Sequence, residues 1–146
     1  MSESVPFQLE RIDHVVLRAR NSDALVSFYR DVLGCPVERE AVDLGLVQLR
    51  AGASLIDVIA VDGPLGRAGG AAPRSAGAQN LDHVCLRVSP FEPAVLSAHL
   101  RRHGAEPSAV RHVYGAEGRG PSIYVDDPEG NTVELKGPAE PGSRIG

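Results

Sequence analysis

The chain has no tryptophan, a single methionine, two cysteines and only 4% aromatic residues in 146. So few rings leave little with which to stack on bases. With a net charge of −4 and no basic run that could follow a phosphate backbone, nucleic acid is not an expected partner. No apolar run approaches the roughly 20 residues needed to cross a bilayer, so no membrane partner is expected either. The first residues, MSESVPFQLE, lack the basic start and apolar centre of a secretory signal, and the reading is of a soluble, cytoplasmic protein. Cys35 follows a helix-ending glycine and Cys85 lies in an apolar strand, contexts that suggest two buried free thiols rather than a disulfide. What is present is a hydrophobic content of 42%, enough to fill the core of one domain spanning 1–146.

The chain repeats itself once. Ile12–Ala19 reads IDHVVLRA and Leu81–Val88 reads LDHVCLRV, so Asp, His, Val, Leu and Arg recur in register. A helical stretch ending in glycine follows each copy, at Gly34 and at Gly104. In the first, Leu25, Phe28, Tyr29, Val32 and Leu33 keep the spacing of an amphipathic helix, with Asn21 or Ser22 as its cap. Extended segments are then expected near 37–42, 46–50 and 54–61. In the second copy Ser89, Pro90 and Glu92 resemble a capped helix start, and extended segments follow near 106–113, 121–125 and 132–136. The expected architecture is α+β: two tandem βαβββ modules, 9–62 and 81–137, forming a curled mixed sheet. A Gly/Ala/Pro-rich linker at 63–80 joins them, and a flexible tail covers 138–146.

Strand alternation puts His14 and Arg18 on one face of the first strand, and His83, Cys85 and Arg87 on one face of its repeat. A histidine among apolar residues is ordinarily a core residue with a satisfied hydrogen bond, but duplication sets two of them in equivalent places. Asp57 and Glu134 are each a lone acid inside the apolar last strand of a module. A buried carboxylate without a partner costs several kcal/mol, and a divalent cation shared with two imidazoles would supply one. Two imidazoles and two carboxylates suit Zn, Ni, Mn, Fe or Co, with coordination positions left for a small-molecule substrate. His14, Asp57, His83 and Glu134 are therefore the candidate metal ligands. His99 and His103, one helical turn apart, are more simply exposed helix residues. Arg111, His112 and Arg119 flank a glycine-rich hairpin, 114–120, which could close over a substrate.

These segments resemble the vicinal oxygen chelate superfamily, which includes glyoxalase I, bleomycin-resistance and fosfomycin-resistance proteins, and extradiol dioxygenases. The similarity covers most of Leu9–Lys136 and rests on IDHVVLRA, FYRDVLG at Phe28–Gly34, LDHVCL, and SIYVDDPEGNTVEL at Ser122–Leu135. It implies paired βαβββ modules around one divalent metal ion, with His on the first strand and an acid on the last, the places of His14, Asp57, His83 and Glu134. It further implies a glyoxalase-like isomerase or lyase acting on a small carbonyl or thiol-adduct substrate through an enediolate-type intermediate. Glu134 would move the proton, with Arg18 and Tyr124 binding substrate. Alternatives within the resemblance are a fosfomycin-resistance-type transferase, a one-domain extradiol dioxygenase, and a non-catalytic ligand-sequestering protein of the bleomycin-binding type. Members commonly form homodimers. Asp57 stands where glyoxalase I usually has Glu, and Val61 where it tends to have Asn; both differences argue against a glutathione hemithioacetal as substrate.

Overall fold

In the computed structural model, residues 8, 10–70 and 81–145 are described; 71–80, most of the inferred linker, lie outside the described residues, as do 1–7, 9 and 146. The first module runs β1 (His14–Ala19), α1 (Ser22–Ser27), β2 (Val37–Ala41), β3 (Leu46–Ala51) and β4 (Ser54–Ala60). The second runs β5 (His83–Arg87), α2 (Pro93–Arg102), β6 (Arg111–Gly115), β7 (Gly118–Asp126) and β8 (Thr132–Lys136). Each module forms its own four-stranded mixed sheet, in the orders β1-β4-β3-β2 and β5-β8-β7-β6. In each, the first strand pairs in parallel with the last, and the other pairings are antiparallel. The repeat seen in the sequence is thus a repeat of topology. Neither sheet closes on itself, so β1 and β5, the two histidine-bearing strands, are both edge strands.

Alternation sorts each sheet into an apolar and a polar face. Leu17, Ala19, Ile56 and Val58 from the first sheet and Ile123, Val125, Val133 and Leu135 from the second join Leu25, Tyr29 and Leu100 of the helical layer in one buried cluster. Each such Leu or Ile contributes roughly 1.5–3 kcal/mol by leaving water, so the shared cluster fixes how the modules sit together.

Three polar contacts add direction to that packing. His99 Nε2 lies 2.7 Å from the Val32 carbonyl oxygen. The Tyr29 hydroxyl donates to Asp127 at 2.8 Å, and the Asn21 amide to Glu129 at 2.7 Å. His99, expected to be exposed, is instead half-buried between the modules, with its ring 4.8 Å from that of His103.

Several local expectations are corrected. The first helix is α-helical only to Ser27; Phe28–Val32 continue as a π-helix, which still buries Phe28 and Tyr29. Asn21 caps it, accepting from the Ala24 amide at 3.1 Å. The second helix does not begin at Ser89. That residue precedes a cis proline, and the helix starts at Pro93 with Glu92 at the cap position, where proline's missing N–H costs nothing. β6 begins at Arg111 rather than 106, and β7 is longer than expected, from 118 to 126. The tail, expected to be free, is hydrogen-bonded along the β6–β7 hairpin: Glu140 donates to the Arg119 carbonyl at 2.7 Å and Ile145 to the Tyr114 hydroxyl at 2.8 Å. Of the two thiols, Cys35 is buried as expected, but Cys85 is exposed on the polar face of β5.

Candidate metal centre

Glu134 sits on β8, an interior strand, opposite Cys85 on one side and Tyr124 on the other. It is 5% exposed, so its charge depends on neighbours rather than on water. Ser122 donates to one oxygen at 2.7 Å and the Tyr124 hydroxyl to the other at 3.0 Å. His83 Nε2 lies 3.3 Å from that second oxygen. Burial pushes the Glu134 carboxyl up, but hydrogen bonds from Ser122, Tyr124 and Cys85, with His83 nearby, more than offset this and leave its pKa lowered. The result is a buried, ionised carboxylate beside an imidazole.

The first module holds the matching arrangement. Asp57 lies on β4, also interior, opposite Val16 and Gln48, and is likewise 5% exposed. Gln48 donates to one of its oxygens at 3.0 Å, while the other is buried with no hydrogen-bond partner among the described residues. A hydrogen bond to Asp13 raises the His14 pKa; desolvation opposes that, and the field of Asp57 adds to it. Neither acid lies on an edge strand, and neither faces solvent.

Each histidine is oriented by the aspartate that precedes it. Asp13 lies 2.7 Å from His14 Nδ1, and Asp82 2.7 Å from His83 Nδ1. A carboxylate holding Nδ1–H leaves the Nε2 lone pair available, the arrangement found around metal-ligating histidines. The Asp-His pair was visible in the repeat, but its orienting role was not read from it. Gln48 and Ser122 also escaped the sequence reading, because only the strand register shows that they reach the acids.

These residues fit a divalent cation: among the described residues a buried carboxylate oxygen lacks a hydrogen-bond partner, two imidazoles present Nε2, and the donors are nitrogen and oxygen. One chain nevertheless brings the four together only as two pairs, one per module. Among the described residues, no group of three or more His, Cys, Asp and Glu side chains could hold an ion. A cavity of about 650 Å³ lies between the modules, lined by apolar residues such as Leu86, Leu96 and Ile56; His14 reaches its edge, but Asp57, His83 and Glu134 do not line it.

The other site candidates have definite places. Tyr124 touches Glu134, with the Arg111 guanidinium 5.4 Å above its ring and the His83 ring 6.1 Å away. Arg18 is engaged elsewhere: it donates to the Gly66 carbonyl at 2.9 Å and to that of Gly70. It thereby pins the 3₁₀ turn Gly66–Gly69 over the end of β1. A Cβ on Gly69 would come within 2.6 Å of the guanidinium carbon, so this cover is close.

Comparison with known proteins agrees with the topology. A protein from the mobile metagenome of V. Pseudocholerae superposes with a TM-score of 0.72 at 19% identity, covering 93% of this chain and all of that one. A virulence protein from Salmonella typhimurium gives 0.70 at 22% identity, covering 91% and 100%. A lactoylglutathione lyase from Agrobacterium tumefaciens gives 0.67 at 23% identity, covering 89% and 95%. These likenesses show the fold. Among the described residues no helix is long and apolar enough to cross a membrane. The sequence model of the Glyoxalase/Bleomycin resistance protein/Dioxygenase superfamily, whose members typically bind a divalent metal and include both enzymes and non-enzymes, matches residues 11–135. The chain belongs to that superfamily.

Proposed function

We propose that this protein is a metal-dependent lyase or isomerase acting on a small carbonyl or thiol-adduct substrate, working as a homodimer whose two copies share each metal site. The observation that carries this reading is the division of the ligands: His83 with Glu134 at 3.3 Å in one module, and His14 with the half-satisfied Asp57 in the other. Both histidines lie on edge strands, β1 and β5, whose outer edges can accept another chain. In a twofold dimer, the β1 edge of one copy facing the β5 edge of its partner would bring the pairs together twice, once at each symmetric contact.

A divalent ion held there would polarise the oxygens of a substrate carbonyl. The chain's own residues do the rest. Asp13 and Asp82 fix the histidine tautomers. Ser122 and Tyr124 keep Glu134 ionised and aimed along the polar face. In that state Glu134 takes a proton from the carbon beside the carbonyl and returns it to the neighbouring carbon. The lactoylglutathione lyase neighbour supports chemistry of this class, although Asp57 and Val61 depart from the glyoxalase I pattern.

Metal analysis of the purified protein, joined to a screen of 2-oxoaldehydes with and without thiols, tests the proposal. The expectation is about one divalent ion per chain and turnover that Glu134→Gln abolishes. Metal binding without turnover of any carbonyl would favour the transferase or ring-cleaving alternatives. Ligand binding without metal would favour the sequestering protein.

A further inference from the structure

The two modules hold their acids differently. Both oxygens of Glu134 accept hydrogen bonds, whereas Asp57 is held through one oxygen only, by Gln48. Gln48 is bonded on its other side as well: Arg39 Nε donates to the Gln48 side-chain oxygen at 2.8 Å. Arg39, Gln48, Asp57 and Val16 thus form one row across all four strands of the first sheet.

Arg39 reaches that row through an irregularity in β2. Val37 lies opposite Leu49, so regular antiparallel pairing would set Glu38 opposite Gln48. The register shifts between Val37 and Arg39, and Arg39 takes that place instead. A bulge of this kind, one extra residue in one strand, re-aims the side chains beside it. Glu38 is taken up by Arg50, at 3.1 Å. With glutamate in the row, two carboxylates would compete for the amide hydrogens of Gln48. With arginine, the neighbours make opposite demands, because a guanidinium only donates and a carboxylate only accepts. One amide orientation satisfies both: oxygen toward Arg39, NH2 toward Asp57. Turned over, it would set donor against donor and acceptor against acceptor.

Among the described residues no carboxylate pairs with Arg39, and the bond to Gln48 is the one its side chain makes. A cation there is otherwise unfavourable, since it repels the divalent ion that Asp57 would hold. The second module has a counterpart. Arg111, also on an outer strand, stands 5.4 Å over the ring of Tyr124, whose hydroxyl donates to Glu134. In each module an outer-strand arginine braces the side chain that holds the acid.

We infer that Arg39 is a positioning residue for the metal site: through the β2 bulge and Gln48 it fixes Asp57 by one oxygen and leaves the other free for the ion. The inference rests on the proposed function for the ion itself. Two measurements on the full chain keep them apart. Zinc titration against a chromophoric chelator reads metal affinity, and 15N relaxation of the Gln48 side-chain amide in metal-free protein reads the orienting contact alone. Gln48→Leu should weaken zinc binding about tenfold, and Arg39→Leu, one contact further out, about threefold. Arg39→Lys, which can still donate, should stay near wild type, and Arg39→Leu should add nothing once Gln48 is replaced. A plain charge effect has the opposite sign, because losing a cation would tighten zinc binding. Unchanged or tighter binding in Arg39→Leu, or an equal loss with and without Gln48, would overturn the inference. In metal-free protein the Gln48 amide should be rigid in wild type and in Arg39→Lys, and mobile in Arg39→Leu; an amide indifferent to Arg39 would also overturn it. Should Gln48→Leu fail to fold, the variants of Arg39, exposed on an edge strand, decide. No zinc binding, with a rigid amide that depends on Arg39, would count against the proposed function and leave the orienting role in place.

Discussion

Tyr29→Phe removes one oxygen from the middle of the molecule and leaves everything else in place. Tyr29 is fully buried, and its ring packs edge-on to Phe28 at 5.3 Å, a contact phenylalanine can keep. Its hydroxyl donates to Asp127 at 2.8 Å; that same carboxylate also accepts from the Glu129 and Asn131 amides and from the Asn131 side chain. A hydrogen bond to an ionised group contributes about 1.5–3 kcal/mol. Because Asp127 retains three other donors, the cost belongs near the lower end, about 1.5–2 kcal/mol, or roughly 3–8 °C in Tm for a chain of this length. Urea unfolding at one fixed chain concentration should show a lower midpoint with an unchanged slope. In a cycle with Asp127→Asn, the two residues should couple by about 1 kcal/mol, because the bond joins the helix of one module to the β7–β8 turn of the other. A loss below about 0.5 kcal/mol with no coupling would refute the idea that this contact ties the modules together.

Gly66→Ala should destabilise by about 2 kcal/mol or more, because the new Cβ would lie 1.9 Å from the Ala60 carbonyl oxygen, a backbone atom that cannot swing aside; thermal unfolding equal to wild type would contradict this. Both thiols should resist alkylation at pH 8 in metal-free native protein. Burial raises the Cys35 thiol; burial and then Glu134 push Cys85 up to about 12, despite its place on the open face. Iodoacetamide should modify Cys85 about a thousandfold more slowly than in urea, and Glu134→Gln should speed the reaction; rapid labelling of the native wild type would refute the assignment.

The topology was legible because it is written twice. IDHVVLRA and LDHVCLRV fixed the register of β1 and β5, and the acids four residues into β4 and three into β8 followed from the alternation of apolar strands. Helix starts were less legible: Ser89-Pro90 has the residues of a cap, but the cis bond turns the chain away and Pro93 takes the first helical position. The DPEGN segment has the residues of a tight turn. It is also a contact between modules, since Asp127 and Glu129 both reach α1 or its flanks, and no periodicity encodes a contact about a hundred residues away. Arg18 illustrates the converse. It lies on the His14 face of β1, as strand alternation predicts, yet the carbonyls that hold it come from Gly66 and Gly70, in a segment whose composition suggested a linker.

Mixing two inactive variants tests most directly whether two copies build each metal site. His14→Ala/Asp57→Ala lacks the first-module pair and His83→Ala/Glu134→Ala the second, so neither should hold metal alone. If sites are shared between copies, a mixed dimer has one site missing all four ligands and one with all four intact. After co-refolding in equal amounts, half of the dimers are mixed, and metal content should recover to roughly a quarter of the wild-type value per chain. No recovery, with mixed dimers demonstrably formed, would contradict the shared site.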